Sequence, residues 1–160
     1  MDDILNILRK NAAMPVEKIA LLVNQTSDEV EEKIKGWESD GTILGYTTVI
    51  NTDKLEDESL VMAMIEVKIT PEREGGFDKI ARRIARFSEV KSCYLMSGGF
   101  DLLVMVEGED LRQVAGFISE RLATIQGVVS TATHFILKPY KQQGVTYVEE
   151  PKPERLKVTP

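Results

Sequence analysis

The sequence is poor in the residues that covalent links and metal sites require. It has a single cysteine, Cys93, which cannot form an internal disulfide, and a single histidine, His134. A metal site would need companions at ligand spacing, and neither residue has them. We therefore predict no metal, no cofactor and no catalytic residue. The lack of disulfides favours the cytoplasm.

Motifs of nucleotide chemistry and of membrane insertion are also missing. There is no glycine-rich phosphate loop, no nucleophile elbow and no paired acid–base motif. The longest apolar runs are far shorter than the roughly 20 residues that cross a bilayer. The opening Met-Asp-Asp-Ile lacks the basic and apolar regions of a signal peptide. We expect a cytoplasmic protein with no membrane partner and no catalytic activity.

Negative charge is unevenly distributed. The net charge is −6 for the whole chain. Residues 1–50 hold five Lys/Arg against nine Asp/Glu, which gives −4, and residues 51–140 hold eleven against fourteen, which gives −3. Net acidity by itself fits ordinary solubility. It is unusual for a DNA-binding segment, because neutralisation of phosphates supplies much of the affinity.

Three short helices are predicted in the first 40 residues. Asp2 or Asp3 can cap the first helix, and Pro15 suits the start of the second. Thr26 or Ser27 can cap a third helix over residues 28–39. The residues expected to face inward are Ile4, Leu5, Leu8, Ile19, Ala20, Leu22, Val23, Val30, Ile34 and Trp37.

The third helix leads into a predicted strand. Asp40-Gly41 ends the helix, since glycine tolerates the left-handed conformation that a helix end needs. Residues 43–50 are then apolar and β-branched, which is typical of a strand. Three small helices followed by a strand predict a helix-turn-helix of the winged kind, which usually binds DNA.

The second half alternates strands and helices. We predict strands over residues 60–69, 90–96, 100–106 and 128–137, and helices over residues 77–87 and 110–125. Leu111, Val114, Ala115, Ile118 and Leu122 are expected to face the core from the last helix. The order β-α-β-β-α-β indicates a ferredoxin-like domain with a bare sheet face. Such a face usually packs against another copy of the chain.

These patterns divide the chain into four parts. We predict a helix-turn-helix DNA-binding domain over residues 1–50 and a polar linker over 51–59. A ferredoxin-like oligomerisation domain would follow over 60–140, and a C-terminal arm over 141–160. The fold class is α+β.

Two motifs resemble the leucine-responsive and asparagine-type (Lrp/AsnC) transcription regulators. The first consists of Val30, Ile34, Glu38, Gly41, Ile43, Gly45 and Tyr46, like the V…I…LE…G-x-I…GY run of that family. The second, from Ser97 to Leu103, is similar to the family's G-x-x-D signature. The resemblance implies dimers formed through the C-terminal sheets, assembly into tetramers or octamers, and amino-acid effectors bound where dimers meet.

The resemblance and the helix pattern together mark the expected DNA-contacting residues. They are Thr26, Ser27, Asp28, Glu31, Glu32, Lys35 and Lys18. Relatives usually carry Arg or Lys where this chain has Glu31 and Glu32. Carboxylates can accept a hydrogen bond from cytosine N4 but repel phosphates. We expect binding to double-stranded DNA of modest affinity.

The expected effector site surrounds the turn between the two middle strands. Its candidate residues are Tyr94, Ser97, Gly98, Gly99, Asp101, Thr131 and Thr133. Gly98 and Gly99 would suit a tight turn, or would let a ligand approach the backbone. An acid at the start of an apolar strand is poorly placed for folding alone. Asp101 could hydrogen-bond backbone amides or hold the ammonium group of an amino acid.

Two functions from different classes remain open at this point. The first is a DNA-binding transcription regulator whose oligomeric state or DNA affinity responds to a small effector, with an amino acid as the first expectation. The alternative is an amino-acid sensor that acts through protein partners, with an acidic head that no longer binds DNA. An enzyme is disfavoured, because related decarboxylases need a pocket rich in histidine and arginine.

Overall fold

The computed structural model describes residues 1–55, 60–71 and 76–147. Internal contacts divide the chain into a unit of residues Met1–Val49, which we call the head, and a second unit that begins at Ile50, which we call the sheet domain. No helix in the described part of the chain is long and apolar enough to cross a membrane.

The head consists of three helices with the predicted start signals. They are α1 (Asp3–Lys10), α2 (Val16–Val23) and α3 (Ser27–Ser39). The Asp2 carboxylate caps α1 by accepting a hydrogen bond from the Ile4 N–H at 2.8 Å. Asn24 ends α2 in the left-handed conformation, with φ of +54°. Three residues, 24–26, therefore separate α2 from α3, the short turn that a helix-turn-helix needs.

A small apolar core holds the three helices together. Ile4, Ile19, Ala20 and Val30 are buried, and Ile7, Leu8, Met14, Val16, Val23, Ile34 and Trp37 pack around them. The prediction that Leu22 faces inward was wrong, because its side chain is 61% exposed. Helix α2 contributes Ile19, Ala20 and Val23 to this core, and Leu22 lies on the outer side of the helix.

The strand predicted over residues 43–50 does not form. Residues 44–50 have no regular secondary structure, and none of their backbone N–H groups donates a hydrogen bond to a described residue. A strand exists only when a second strand pairs with it, and the head consists otherwise of helices. Leu44, with 95% of its side-chain surface exposed, shows that this β-favouring segment is left uncovered.

The sheet domain has the predicted order of elements. Strands β1 (Val61–Ile69), β2 (Val90–Leu95), β3 (Leu102–Gly108) and β4 (Val128–Phe135) form an antiparallel sheet in the order β2-β3-β1-β4. Helix α4 (Asp78–Ile84) follows β1, and helix α5 (Leu111–Gly116) follows β3. This is the ferredoxin-like arrangement, with β3 and β1 in the centre as the apolar run at 102–104 indicates.

One face of the sheet packs on the helices and forms the core. Its buried strand residues are Ala63, Ile65, Val67, Ile69, Leu102, Val104 and Val106, and they meet Ile80, Ile84, Val114, Phe117, Leu122 and Ile125. The alternate strand residues point to the opposite face. Among them Met62, Met64, Leu103 and Met105 are half-buried, whereas Lys68 is exposed.

The second helix of this domain widens halfway along. After α5 the chain makes a π-helical turn over Phe117–Leu122. Leu111, which is 57% exposed, and Ala115 were wrongly predicted to face the core, whereas Val114, Phe117 and Leu122 are buried. Two residues five apart lie on different sides of an α-helix, and the wider π turn brings Phe117 and Leu122 to the same side.

The chain continues beyond β4 into a small hairpin of β5 (Lys141–Gln142) and β6 (Val145–Thr146). The Tyr147 hydroxyl donates to Gln142 Oε1 at 2.5 Å and lies 3.2 Å from the carbonyl oxygen of Ile50. The remainder of the predicted arm, residues 148–160, and residues 56–59 of the predicted linker lie outside the described residues.

Candidate functional site

The start of α3 is fixed by a reciprocal capping box. The Thr26 hydroxyl accepts from the Glu29 N–H at 3.3 Å, and the Glu29 carboxylate accepts from the Thr26 N–H at 2.8 Å. The Thr26 hydroxyl also donates to Glu29 Oε2 at 2.8 Å, and the two hydrogen bonds that the carboxylate accepts, from the Thr26 N–H first and from its hydroxyl second, lower the pKa of Glu29. Thr26 was predicted to contact DNA, and its side chain already serves the helix terminus.

The exposed face of α3 presents more carboxylates than cations. Asp28, Glu31, Glu32 and Lys35 are exposed, and Ser27 is half-buried. Lys35 Nζ lies 3.0 Å from Glu31 Oε2, one helical turn away, so that part of its charge is neutralised within the helix. Lys18 is exposed on α2. Of the seven predicted DNA-contacting residues, Lys18 therefore lies on α2, Thr26 is the N-cap of α3, and the other five lie within the first nine residues of α3.

The residues after α3 are hydrogen-bonded back to the helix. Gly41 adopts φ of +79°, and the Ile43 N–H donates to the carbonyl oxygen of Trp37 at 2.9 Å. The Tyr46 hydroxyl donates to Glu38 Oε1 at 2.8 Å, and this hydrogen bond raises the pKa of Tyr46. The Gly-x-Ile…Gly-Tyr motif thus turns the chain at the end of α3 and holds the following residues against the helix.

A shallow apolar groove in the head lies between α1 and the segment after α3. Met1, Leu5, Leu8 and Arg9 line one part of it and residues 42–46 line another, with a volume of about 360 Å³. The groove was not predicted from the sequence, because the apolar spacing of Leu5 and Leu8 indicated only core positions.

The turn between β2 and β3 is open on its outer side. Gly98 adopts φ of +152°, a conformation that side chains disfavour. A methyl group added at Gly98 or at Gly99 would meet no atom within 4 Å. Gly98 is therefore explained by backbone conformation, whereas neither conformation nor packing requires glycine at position 99.

Asp101 connects three strands. Its N–H donates to the Val67 carbonyl oxygen at 3.0 Å, and its carbonyl oxygen accepts from the Met96 N–H at 2.8 Å. Its carboxylate Oδ2 accepts from the Ile69 N–H at 2.8 Å, next to an irregularity in β1–β4 pairing. The expectation that this acid is poorly placed for folding was wrong, because the carboxylate satisfies a backbone donor that the ladder leaves unpaired.

The other candidate effector residues do not converge on this turn within one chain. Ser97 lies in the turn, and Tyr94 is 54% exposed on the open face, where it pairs with Leu103. Thr131 and Thr133 are on β4, at the other edge of the sheet, and lie on the helix-covered face. A common site for Tyr94 and these threonines would require residues from more than one copy.

Among the described residues, neither His134 nor Cys93 belongs to a group that could hold a metal ion. His134 Nε2 lies 3.3 Å from Glu66 Oε1 on the open face of the sheet. Cys93 is half-buried against α4, and burial raises the pKa of its thiol. Among the residues that the structure describes, no group of three His, Cys, Asp or Glu side chains could hold a metal ion.

Comparison with known proteins decides the family. The sequence profile of the Lrp/AsnC ligand binding domain matches residues 62–146. The chain belongs to the Lrp/AsnC family. It is 42% identical over 158 residues to the HTH-type transcriptional regulator YugG of Bacillus subtilis, covering 99% of this chain and 95% of that protein.

Solved structures of Lrp/AsnC proteins share the fold. A transcriptional regulator of Neisseria meningitidis in complex with L-methionine has a TM-score of 0.69 and 22% identity, covering 89% of this chain and 93% of that one. The feast or famine regulatory protein of Mycobacterium tuberculosis, also complexed with L-methionine, has a TM-score of 0.67 and 21% identity, with coverages of 87% and 90%. The family consists of transcription regulators, not enzymes, which confirms the predicted lack of catalysis.

Proposed function

We propose that this Lrp/AsnC regulator binds double-stranded DNA through α2 and α3, and that an amino acid bound at the β2–β3 turn alters its assembly or its DNA affinity. The observation that carries the effector site is the combination of an open glycine turn with the anchored carboxylate of Asp101. The bound L-methionine of the Neisseria and Mycobacterium proteins supports an amino acid as the ligand class.

The chemistry of the turn suits a zwitterion. Asp101 Oδ2 is occupied by the Ile69 N–H, but its other carboxylate oxygen has no hydrogen bond to a described residue. That oxygen can accept from an ammonium group in a charge-assisted hydrogen bond. The open backbone at Gly98 and Gly99 leaves N–H groups within reach of a ligand carboxylate.

We further propose that copies of the chain associate through the bare face of the sheet. Half-buried Met62, Met64, Leu103 and Met105 form an apolar patch there, and flexible thioethers suit irregular contacts between copies. Thr131 and Thr133 point to the helix-covered face, so this association does not bring their side chains to the turn, and the proposed effector site rests on the β2–β3 turn and Asp101. Dimers that assemble further into tetramers or octamers, in the cytoplasm, complete the proposal.

The test is retention of pooled genomic DNA fragments over a salt series, with and without the twenty amino acids. Selective, salt-sensitive retention is expected, and one or a few amino acids should change it. Two variants then locate the effector site. Asp101→Asn keeps an acceptor for the Ile69 N–H but removes the charge, and Gly99→Ala adds a methyl group in open space. Both should keep basal DNA binding and weaken the amino-acid response at least about tenfold. An unchanged response in both would refute the site.

The alternative function, a sensor that acts through protein partners, is favoured by the charge of the head. Residues 1–50 carry −4, and the Glu31–Lys35 pair reduces the positive charge available to phosphate. Amino-acid binding without retention of any DNA at low salt would select this alternative.

A further inference from the structure

A group of three arginines at the end of α4 and in the turn that follows it is not explained by the fold. Arg82, Arg83 and Arg86 are all exposed. None of their side chains has a hydrogen bond, an ion pair or a ring contact with a described residue. Arg82 and Arg83 lie in the last turn of α4, and Arg86 follows two residues after its end, so three positive charges fall within five residues of the chain.

The surroundings do not neutralise these arginines. Residues 78–91, from the start of α4 to the start of β2, carry five Lys/Arg and two Asp/Glu, Asp78 and Glu89, and Asp78 forms no ion pair with a described residue. Glu89 is paired with Arg121, and Glu107 on the neighbouring strand is paired with Lys91 at 3.3 Å. The Asp110 carboxylate caps α5 by accepting from the Gln113 N–H. Glu89, Glu107 and Asp110 are thus engaged elsewhere, and with Asp78 as the one acid on α4 the three arginines keep a net positive charge towards solvent.

We propose that Arg82, Arg83 and Arg86 form a second contact surface for duplex DNA and bind its phosphates, a proposal that rests on the DNA-binding function above. The head carries net negative charge and exposes carboxylates along α3, so phosphate neutralisation must come in part from elsewhere in the chain. Guanidinium groups bind phosphate oxygens through two parallel hydrogen bonds and stay charged at any physiological pH. Binding of this kind would be independent of base sequence.

The experiment compares two triple variants of the full chain. Arg82→Gln/Arg83→Gln/Arg86→Gln removes the group, and Lys54→Gln/Arg112→Gln/Lys141→Gln removes the same charge from three dispersed, exposed positions of the same domain. The probe is a fluorescent duplex of mixed sequence, and affinity is measured by anisotropy over a salt series. Molecular mass without DNA is measured by light scattering.

Removal of the arginine group should lower the affinity at least about tenfold and reduce the salt slope by roughly 0.9 for each phosphate that is no longer neutralised. The dispersed variant should keep most of the affinity and slope. Arg82→Lys/Arg83→Lys/Arg86→Lys, which keeps the charge, should restore the slope. Equal effects of the two glutamine variants would overturn the proposal. A change of molecular mass in the arginine variant would also overturn it, because the partner would then be an acidic surface of another copy. Failure of the unaltered protein to bind DNA would instead refute the function proposed above.

Discussion

Asp101 serves the fold, and the proposed effector site would use the same side chain. Its backbone pairs with β1 and with Met96, and one carboxylate oxygen satisfies the Ile69 N–H. A side chain held in this way is already ordered before a ligand arrives, so binding costs little additional side-chain entropy. The sequence indicated that an acid here was unusual, but it could not show the backbone donor, because the Ile69 N–H lies beyond the last β1–β3 pair, Val67–Leu102, whose position depends on the register of the sheet.

Two substitutions of Asp101 should therefore separate the loss of the hydrogen-bond acceptor from the loss of the negative charge. Asp101→Ala leaves the Ile69 N–H without an acceptor, so we expect the free energy of unfolding to fall by about 1–3 kcal/mol. Asp101→Asn retains an acceptor and should lose much less. Urea unfolding followed by circular dichroism measures both. Equal stability of the two variants would show that the hydrogen bond contributes nothing.

The capping box at Thr26 gives the head a defined pH dependence. The folded-state pKa of Glu29 is lowered from its ordinary value of 4.5, so its stabilising contribution is present above about pH 4.5 and is lost as the pH falls through the folded pKa. Glu29→Gln keeps the capping geometry but does not titrate. The stability difference between the unaltered protein and Glu29→Gln should shrink on acidification.

The fluorescence of Trp37 can be used to test this prediction. It is the only tryptophan, and it packs against the core of the head. Its fluorescence during urea unfolding reports on the head, and the series should run from neutral pH to below the pKa of Glu29. A difference that stays constant over that range would contradict the assigned role of the carboxylate.

At the scale of elements, α3 combines a standard helix start with an unusual exposed face. The capping signals and the apolar face were predictable, because both depend on residues three or four positions apart. The charge of the exposed face was predictable as well. Its consequence for DNA depends on whether Glu31 and Glu32 lie near phosphates or near base edges.

Neutralising Glu31 and Glu32 shows whether these acids lie near DNA phosphates or near base edges. Glu31→Gln/Glu32→Gln removes two negative charges and releases Lys35 from its ion pair, so DNA affinity at low salt should rise, by about tenfold if both acids lie near phosphates. Fluorescence anisotropy over a salt series measures the change, with Glu120→Gln on the sheet domain as control. Weaker binding would mean instead that the carboxylates accept hydrogen bonds from cytosine.

The elements that the sequence predicted wrongly are those that depend on distant partners. Alternation in β1 and β3 predicted strands that form, because each has a neighbour on both sides. Residues 43–50 have equal β propensity and no neighbour, so they remain outside any sheet. The π turn at Phe117 also escaped prediction, because it follows from how Phe117 and Leu122 meet the core and not from local spacing. The separation of Thr131 from Tyr94 followed from strand order, which puts β2 and β4 at opposite edges.

At the scale of the whole molecule, the open sheet face should control assembly. Met64→Glu puts a charge among half-buried apolar residues of that face, opposite Met105. It should lower the molecular mass measured by light scattering, because an unpaired charge opposes burial. Leu111→Glu, at an exposed apolar position of the helix layer, should leave the mass unchanged. A mass that falls only in Leu111→Glu would move the interface to the helices.

The unpaired segment after α3 has a consequence for the abundance of the protein. The backbone N–H groups of residues 44–49 donate to no described residue, and residues 42–46 line the apolar groove of the head, so this edge is open to pairing with an extended chain. If the matching segment of another copy fills that place, each head is completed only by meeting a second one. The stability of the head would then rise with the concentration of the chain, by mass action. In a cell that makes few copies of the protein, each copy would then also have a less stable head.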